Sequence, residues 1–580
     1  MSDFLFRFGG EGGEGVISTG ELFTTACARS GLEIYTFRSY PAEIKGGHAM
    51  IQVRVADSNV LLSRGDRADV LVAFNKESYD RHYKELKDGG VLVFDNTDFL
   101  PDDDTRTLKY PIPFNKIAME EIGVRLTKNM VSLGALSELF GVPQDKFKEL
   151  IREKFSKKGE AVLEKNFQAL AAGAKYVREN LKKEDKIRVE PTGRQPRLVL
   201  SGNEALSLGA IAAGLKVYAG YPITPASTIL EFLAKELPKV GGVVFQTEDE
   251  IAALGTVLGA SFAGKKAMTA TSGPGFSLMI EMLGLAVMAE LPAVIVNAQR
   301  AGPSTGMPTK MEQADLMMAI YAGHGEAPRV VLGLTSVEDC FYGMIRAFNI
   351  AETYQTPVVV LTDQGLAQRE ASITKPDVTG IEVLERRKPT VEELANYERF
   401  RITPDNVSPM SVPGMPDGFY SATGIEHTEA GALNYEPANH NKMIAKRANK
   451  LQGVLKLPWI VKTYGLEKPE VAVIGWGSGE GVIREAVDKA NKAGFKVGAL
   501  HPKILWPFPA EIINKYLAQG VKRVIVPELN YSGQFASLLK QHLTNGNRSI
   551  DVVPMAKAGG IPWTPDEIVA EIKEASKIHA

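Results

Sequence analysis

Apolar runs expected as strands fall at residues 4–8, 32–37, 50–54, 70–73 and 91–94, with a helix over 16–30 behind the first of them. Short apolar runs bounded by turn residues read as buried strands, and apolar repeats at i, i+3 and i+4 read as amphipathic helices. Lysine- and glutamate-rich helices over 145–155 and 160–181 close this first unit. The alternation returns from residue 198, with strands expected at 198–201, 217–220, 243–246, 267–271, 293–297, 329–333 and 358–362. It returns again from 469, with strands at 471–475, 496–500, 524–527 and 550–553 and helices over 479–493 and 534–542. Strands alternating with helices predict open, largely parallel sheets. The expected fold class is therefore α/β, in three open α/β domains spanning 1–181, 198–374 and 469–580. Residues 182–197, charged and carrying two prolines, read as a linker. Residues 375–468, rich in Pro, Gly, Asn and His, read as a connecting segment. An irregular stretch of that length in a compact protein usually covers a site or an interface.

Composition narrows the function classes. The 580 residues are 44% hydrophobic and 23% charged, with a net charge of −2. That balance offers no pull toward nucleic acid or an anionic membrane. No apolar run reaches the length of a membrane span. The start, MSDFLFRFGG, lacks the basic and apolar regions of a secretion signal, so a cytoplasmic location is expected. The two cysteines, Cys27 and Cys340, sit in apolar helical patterns and read as core residues. They supply neither a disulfide framework nor the roughly four thiolates of an iron–sulfur cluster. The eight histidines show no zinc spacing, and no metal site is expected in this chain.

Tyr221-Pro-Ile-Thr-Pro225 is the sharpest local signal. It joins an expected strand to an amphipathic helix over 227–237, and its two prolines stiffen the backbone around Thr224. The plainer reading makes Thr224 or Ser227 a cap of that helix. Thr247-Glu-Asp-Glu250 precedes a helix expected over 251–263. Acids there complement the helix dipole, and Thr247 with Glu250 has capping-box spacing. Thr271-Ser-Gly-Pro-Gly275 is a glycine-rich turn that lets backbone approach a ligand. The next strand leads to Arg300 and a loop, 301–309, dense in hydroxyls and turn residues. Arg300 is either a carboxylate clamp or a solvated surface charge. All these segments follow strand ends, where parallel sheets bind ligands, so Thr224, Glu250, Ser272 and Arg300 are expected around one crevice.

Gly10-x-Gly12-x-x-Gly15 has the spacing of a dinucleotide fingerprint. The following strand ends in Phe37-Arg38-Ser39, without the acid that would hold a ribose. Arg38 would suit a 2′-phosphate, and the turn alone suits an anion or a partner contact. Metal-diphosphate, P-loop and Ser/His/Asp signatures are missing. The chain reads as one face of an active site whose other face lies elsewhere.

The order Tyr221-Pro-Ile-Thr-Pro225, Glu248-Asp-Glu-Ile-Ala-Ala253, Thr271-Ser-Gly-Pro-Gly275 and Gln299-Arg-Ala-Gly-Pro-Ser-Thr-Gly-Met-Pro-Thr-Lys-Met-Glu-Gln-Ala-Asp315 resembles the 2-oxoacid:ferredoxin oxidoreductases. The likeness is to the alpha subunit of the two-subunit type, with a gamma domain fused at the N-terminus. Residues 10–16 with Glu43-Ile-Lys-Gly-Gly47 resemble that gamma domain, with Lys45 where the family more often has Arg. Asp363-Gln-Gly-Leu366 resembles the close of a pyrimidine-binding domain. Gly424-Ile-Glu-His427 and Lys446-Arg447 resemble the connecting segment of the 2-oxoglutarate branch. Glu528-x-Asn530-x-x-Gly533-Gln534 resembles a transketolase C-terminal domain.

The resemblance implies thiamine diphosphate shared with a beta subunit, which would bind its diphosphate through Mg²⁺ and carry a [4Fe–4S] cluster. Coenzyme A would be the co-substrate and ferredoxin the electron acceptor. The resemblance makes Tyr221, Pro222, Ile223, Ser272 and Gly273 cofactor contacts. It makes Glu250, rather than Glu248, the partner of the aminopyrimidine N1′. Thr224 would touch cofactor and substrate, and Arg300 and Thr309 would take the oxoacid carboxylate. The implied reaction converts 2-oxoglutarate and coenzyme A to succinyl-CoA and CO₂. It runs in reverse in the CO₂-fixing reductive TCA cycle, and the implied assembly is a dimer of heterodimers. Rival readings are a pyruvate or branched-chain oxoacid enzyme, an inert docking subunit, and a stand-alone NAD(P) dehydrogenase built on residues 10–15.

Overall fold

Six consecutive buried residues put the strand Asp3–Glu11 at the centre of the first sheet. The computed structural model describes residues 2–41, 46–58 and 60–577. The chain divides into two units, Met1–Leu200 with Gln368–Lys375, and Ser201–Ala367 with Pro376–Ala580. In the first unit eight strands run in the order Leu108–Ile112, Leu86–Asp95, Ala68–Ala73, Asp3–Glu11, His48–Ala56, Glu33–Ser39, Glu370–Ile373, Leu198–Ser201. Asp3–Glu11 pairs parallel with Ala68–Ala73 and antiparallel with His48–Ala56. The helix Val16–Arg29 lays Leu22, Phe23, Ala26 and Cys27 on the sheet, and Phe6 and Phe8 pack against Phe23. Cys27 is thus a core residue, and burial pushes its thiol well above the usual range.

The strand Leu198–Ser201, expected to open the second sheet, is instead an edge of the first. Its neighbour in that order, Glu370–Ile373, follows the strand Pro357–Asp363 of the second unit's larger sheet in the chain. Four residues with little full burial carry no pattern that says which sheet they join.

The second unit holds two sheets. The larger runs Ile504–Trp506, Val330–Gly333, Pro357–Asp363, Ala293–Gln299, Ala267–Thr271, Val217–Gly220, Val243–Gln246. All neighbours are parallel except Ile504–Trp506, a strand lent antiparallel by the C-terminal region. Its three central strands are buried at every position, as a parallel sheet covered on both faces requires. The smaller sheet runs Val461–Gly465, Val497–Pro502, Val471–Ile474, Arg523–Glu528, Asp551–Ala556, parallel but for its first strand. All three sheets are open and α/β, as expected, but the first is mixed, since His48–Ala56, Glu33–Ser39 and Glu370–Ile373 join it antiparallel. The connecting segment contributes the helix Pro437–Asn449 and otherwise mostly loop. Its Glu426 carboxylate is forked by Arg447, at 3.1 and 2.8 Å.

Candidate active site

Parallel pairing lines up the C-terminal ends of the larger sheet's strands. Gly220 faces Gln246, Thr271 faces Asn297, and Gln299 faces Asp363. The segments Tyr221–Pro225, Thr247–Glu250, Thr271–Gly275 and Arg300–Thr309 all leave the sheet at this edge.

The loop after Val217–Gly220 is pinned from below. Arg300 Nη1 donates to the carbonyl of Thr224 at 2.9 Å. Asn203 Nδ2 donates to the carbonyl of Pro225 at 2.9 Å and to Thr228 Oγ1 at 2.7 Å. Neither Thr224 nor Ser227 caps the next helix, Ser227–Glu236, whose start has no side-chain cap bond. Tyr221 and Pro222 are exposed, Ile223 and Thr224 half-buried. The peptide between Thr224 and Pro225 is cis.

Glu250 is the first residue of the helix Glu250–Phe262 and is 4% exposed, whereas Glu248 lies at the surface. The capping box expected between Thr247 and Glu250 does not form. Asp249 caps the helix by accepting from Ala252 N at 2.8 Å, and Thr247 Oγ1 donates to Asp249 O. This frees the Glu250 carboxylate, whose Oε1 accepts from Thr271 Oγ1 at 3.2 Å. The turn opposite has no room for a side chain. A Cβ on Gly275 would lie 2.2 Å from Glu250 Oε1 and 2.0 Å from Thr271 Oγ1.

Ser272 is fully buried, and its Oγ has no hydrogen-bond partner. A Cβ on Gly273 would lie 2.8 Å from Asp315 Oδ2, which itself accepts from Asn297 Nδ2 at 3.0 Å. Burial raises the Asp315 carboxyl above its usual range, Glu312 adds to the rise, and the bond from Asn297 opposes it. Arg300 is 8% exposed, which removes the reading of a solvated surface charge. Its Nε is buried without a partner, and desolvation lowers its pKa. A poorly solvated guanidinium holds an incoming anion more strongly than a surface one. Thr309 is buried in the loop after Arg300, which Ala301 N closes on Lys310 O at 2.9 Å.

The structure thus joins Arg300 to Thr224, Glu250 to Thr271 and Gly275, and Gly273 to Asp315. Tyr221 and Pro222 stand outside these buried contacts. Asn203, Asn297 and Asp315 were missed in the sequence. The signal for Asn297 was a polar residue inside an apolar strand, which has to find a partner. Asn203 gave none, because its partners lie a helix and a strand away.

In the first unit the glycine turn supplies its own anion. Glu14 Oε2 accepts from Glu11 N at 3.0 Å, while Oε1 pairs with the buried Lys128 at 2.5 Å. Arg38 pairs with Glu21 and Glu370. Neither arrangement favours a dinucleotide. Residues 43–45, including Lys45, lie outside the described residues. Among the described residues no helix is long and apolar enough to cross a membrane.

Comparison with known proteins defines the class first. Residues 208–446 match the family described as pyruvate flavodoxin/ferredoxin oxidoreductase, thiamine diP-binding. Residues 6–176 match pyruvate ferredoxin/flavodoxin oxidoreductase, and 469–568 match pyruvate:ferredoxin oxidoreductase core domain II. The chain is 35% identical to 2-oxoglutarate oxidoreductase subunit KorA of Mycobacterium tuberculosis, over 99% of this chain and 92% of that one. It is 38% identical to 2-oxoglutarate synthase subunit KorA of Methanothermobacter marburgensis, over 64% of this chain and 97% of that one. Among solved structures it resembles the 2-oxoglutarate:ferredoxin oxidoreductase of Magnetococcus marinus at 45% identity and a TM-score of 0.93, covering 99% of each chain. The chain belongs to the 2-oxoacid:ferredoxin oxidoreductase family, and the relatives that it matches over nearly their whole length are alpha subunits.

Proposed function

We propose that this chain, assembled with a partner subunit, oxidatively decarboxylates 2-oxoglutarate. A 2-oxoacid, coenzyme A and two oxidised ferredoxins become acyl-CoA, CO₂, a proton and two reduced ferredoxins. The observation that carries the choice of substrate is the full-length likeness to a protein solved with 2-oxoglutarate, coenzyme A and succinyl-CoA bound.

The residues at the strand ends fit the aminopyrimidine half of thiamine diphosphate. They offer a buried carboxylate at Glu250, a turn at Gly275 with no space for a Cβ, and a buried hydroxyl at Ser272 without a partner. When bound, that cofactor supplies a nucleophilic carbon and an electron sink. Glu250 would hold a proton on N1′, with Thr271 fixing the carboxylate's orientation. Ser272, Gly273 and the 221–223 backbone would line the ring. Arg300 and Thr309 would take the oxoacid's 1-carboxylate, and Thr224, whose carbonyl is tied to Arg300, would touch cofactor and substrate.

The partner follows from what the chain lacks. Its two cysteines are buried and cannot hold a cluster, so the [4Fe–4S] centre and the route to ferredoxin belong to the partner. So does the Mg²⁺-bound diphosphate. Tyr221, Phe245, Ile251 and Leu278 stand exposed on elements that open from the same strand ends, as a docking rim would require. The second carboxylate of 2-oxoglutarate needs a further cation, and we assign it to the partner. A cytoplasmic dimer of heterodimers is the assembly we propose.

The test is anaerobic viologen or ferredoxin reduction by the co-purified complex, given thiamine diphosphate, Mg²⁺, coenzyme A and a panel of 2-oxoacids. Coenzyme-A-dependent reduction with 2-oxoglutarate is the expected result, with none from this chain alone. Reduction confined to pyruvate or a branched-chain oxoacid would replace the substrate. No reduction from a cluster-loaded complex would leave the inert docking subunit as the better reading.

A further inference from the structure

The residues just after Thr309 are held largely by the C-terminal region of the same unit. Gln313 N donates to Leu529 O at 2.7 Å, and Asn530 Nδ2 donates to Gln313 O at 3.1 Å. Gln534 brackets the next turn, donating from Nε2 to Ala314 O at 2.7 Å and accepting from Met317 N at 3.1 Å. Met311 bridges to Gly560, and Gly559 N reaches Glu312 Oε1 at 3.3 Å. On the sheet side, Asp315 N donates to Gln299 Oε1 at 3.0 Å, and Gln299 is the residue before Arg300.

These contacts explain the spacing of Glu528-x-Asn530-x-x-Gly533-Gln534. Glu528 is fully buried at the end of the strand Arg523–Glu528, where its carboxylate accepts from Phe535 N, Ala536 N and Asn530 Nδ2. Asn530 Oδ1 in turn accepts from Gly533 N at 2.8 Å and Gln534 N at 3.3 Å. Gly533 takes the left-handed backbone, φ +63°, that opens the helix Gln534–Gln541. Both amide hydrogens of Asn530 are spent, one on Glu528 and one on Gln313. The motif is a rigid turn that presents two amide side chains to residues 313–317.

We propose that Asn530 and Gln534 are positioning residues for the oxoacid carboxylate. They fix the downstream end of the loop that starts at Arg300 and carries Thr309, so the C-terminal domain sets the shape of the substrate loop. This rests on the carboxylate role of Arg300 and Thr309 proposed above. Gln534 is the residue to change, because it is half-buried, whereas Asn530 shares its bonds with a buried carboxylate.

The experiment uses the whole complex with Gln534→Ala, Gln534→Glu and, as a control on the exposed face of the same helix, Lys540→Ala. Gln534→Ala should raise the 2-oxoglutarate KM about fivefold or more, with kcat and the coenzyme A KM within about twofold. Amide exchange over 310–317 should quicken, with the thermal midpoint little changed. Gln534→Glu keeps the acceptor for Met317 N and should recover part of the KM, and Lys540→Ala should match wild type. An unchanged oxoacid KM in active Gln534→Ala would overturn the positioning role alone. So would equal losses in kcat, both KM values and thermal midpoint, which mark general loosening. A wild-type complex that turns over no 2-oxoacid would instead overturn the functional reading, and this proposal with it.

Discussion

One hydroxyl, from Thr271, and one missing side chain, at Gly275, define the space of the Glu250 carboxylate. Glu250→Gln keeps that shape and removes the negative charge from the carboxylate proposed to face the aminopyrimidine. Turnover should fall by about 10²-fold or more, the usual worth of a positioned acid or base, while the melting curve stays put. Turnover like wild type would end the assignment. Arg300 makes one observed bond, to the Thr224 carbonyl, and has one proposed duty, as a carboxylate clamp, and kinetics separates them. As a carboxylate clamp it is worth about 1.5–3 kcal/mol, the range of hydrogen bonds to charged groups. Arg300→Ala should therefore raise the oxoacid KM by roughly tenfold or more with kcat largely kept. If kcat and kcat/KM fall together, its bond to the Thr224 carbonyl matters more than the clamp. Arg300 and Glu250 were both legible as residues at strand ends. Their burial was not, because it comes from packing between segments far apart in the chain.

Elements were legible where sequence period and burial agree. The strands Ala267–Thr271, Ala293–Gln299 and Pro357–Asp363 are continuous apolar runs because both faces are covered. Leu108–Ile112, Val461–Gly465 and Ile504–Trp506 went unread, and each is a sheet's terminal strand. Such short strands gain their identity from a partner rather than from their own pattern. The start of Glu250–Phe262 was misread for a related reason. Three acids and a threonine offer several caps, and geometry chose Asp249. The turn from Ala267–Thr271 into the helix Gly273–Leu278 carries a prediction at this scale. Gly275→Ala forces a methyl into the Glu250 carboxylate, so helix and strand end must part or the carboxylate must turn. Overpacking of this kind costs about 1–3 kcal/mol. The half-saturating thiamine diphosphate concentration of the complex should rise about tenfold. Gly284→Ala, in the helix Ile280–Met288 with nothing within 4 Å of the new Cβ, should be neutral or slightly stabilising. Equal cofactor demand in the two variants would mean that Gly275 is not shaped around Glu250.

Across the second unit, the weakly periodic segment is fixed by buried charge rather than by an apolar stripe. Arg386 forks the buried Glu352, with both bonds at 2.7 Å. Arg399, fully buried, donates to the carbonyl of Glu290 at 2.8 Å. Glu290 is itself fully buried and binds Lys446 and Lys450, which join the helix Pro437–Asn449 and its extension to the base of the larger sheet. Burial alone would raise the Glu290 carboxyl, but Lys450, Lys446 and Arg399 together hold it far below the usual range. A carboxylate depressed in the fold contributes stability that is present above its unfolded pKa, near 4.3, and is lost as pH falls below it. Once protonated it would leave three buried cations without their counter-charge. The thermal midpoint should therefore drop steeply from about pH 5 downward. Other carboxylates add to that slope, so Glu290→Gln isolates this one. The variant should lose about 3–5 kcal/mol at neutral pH, the cost of orphaning buried partners. Its gap from wild type should then narrow steadily as the pH falls below about 4, since the contribution is lost progressively down to the depressed folded pKa. A gap that stays constant with pH would mean that Glu290 does not titrate with folding, and that packing rather than charge ties the segment down.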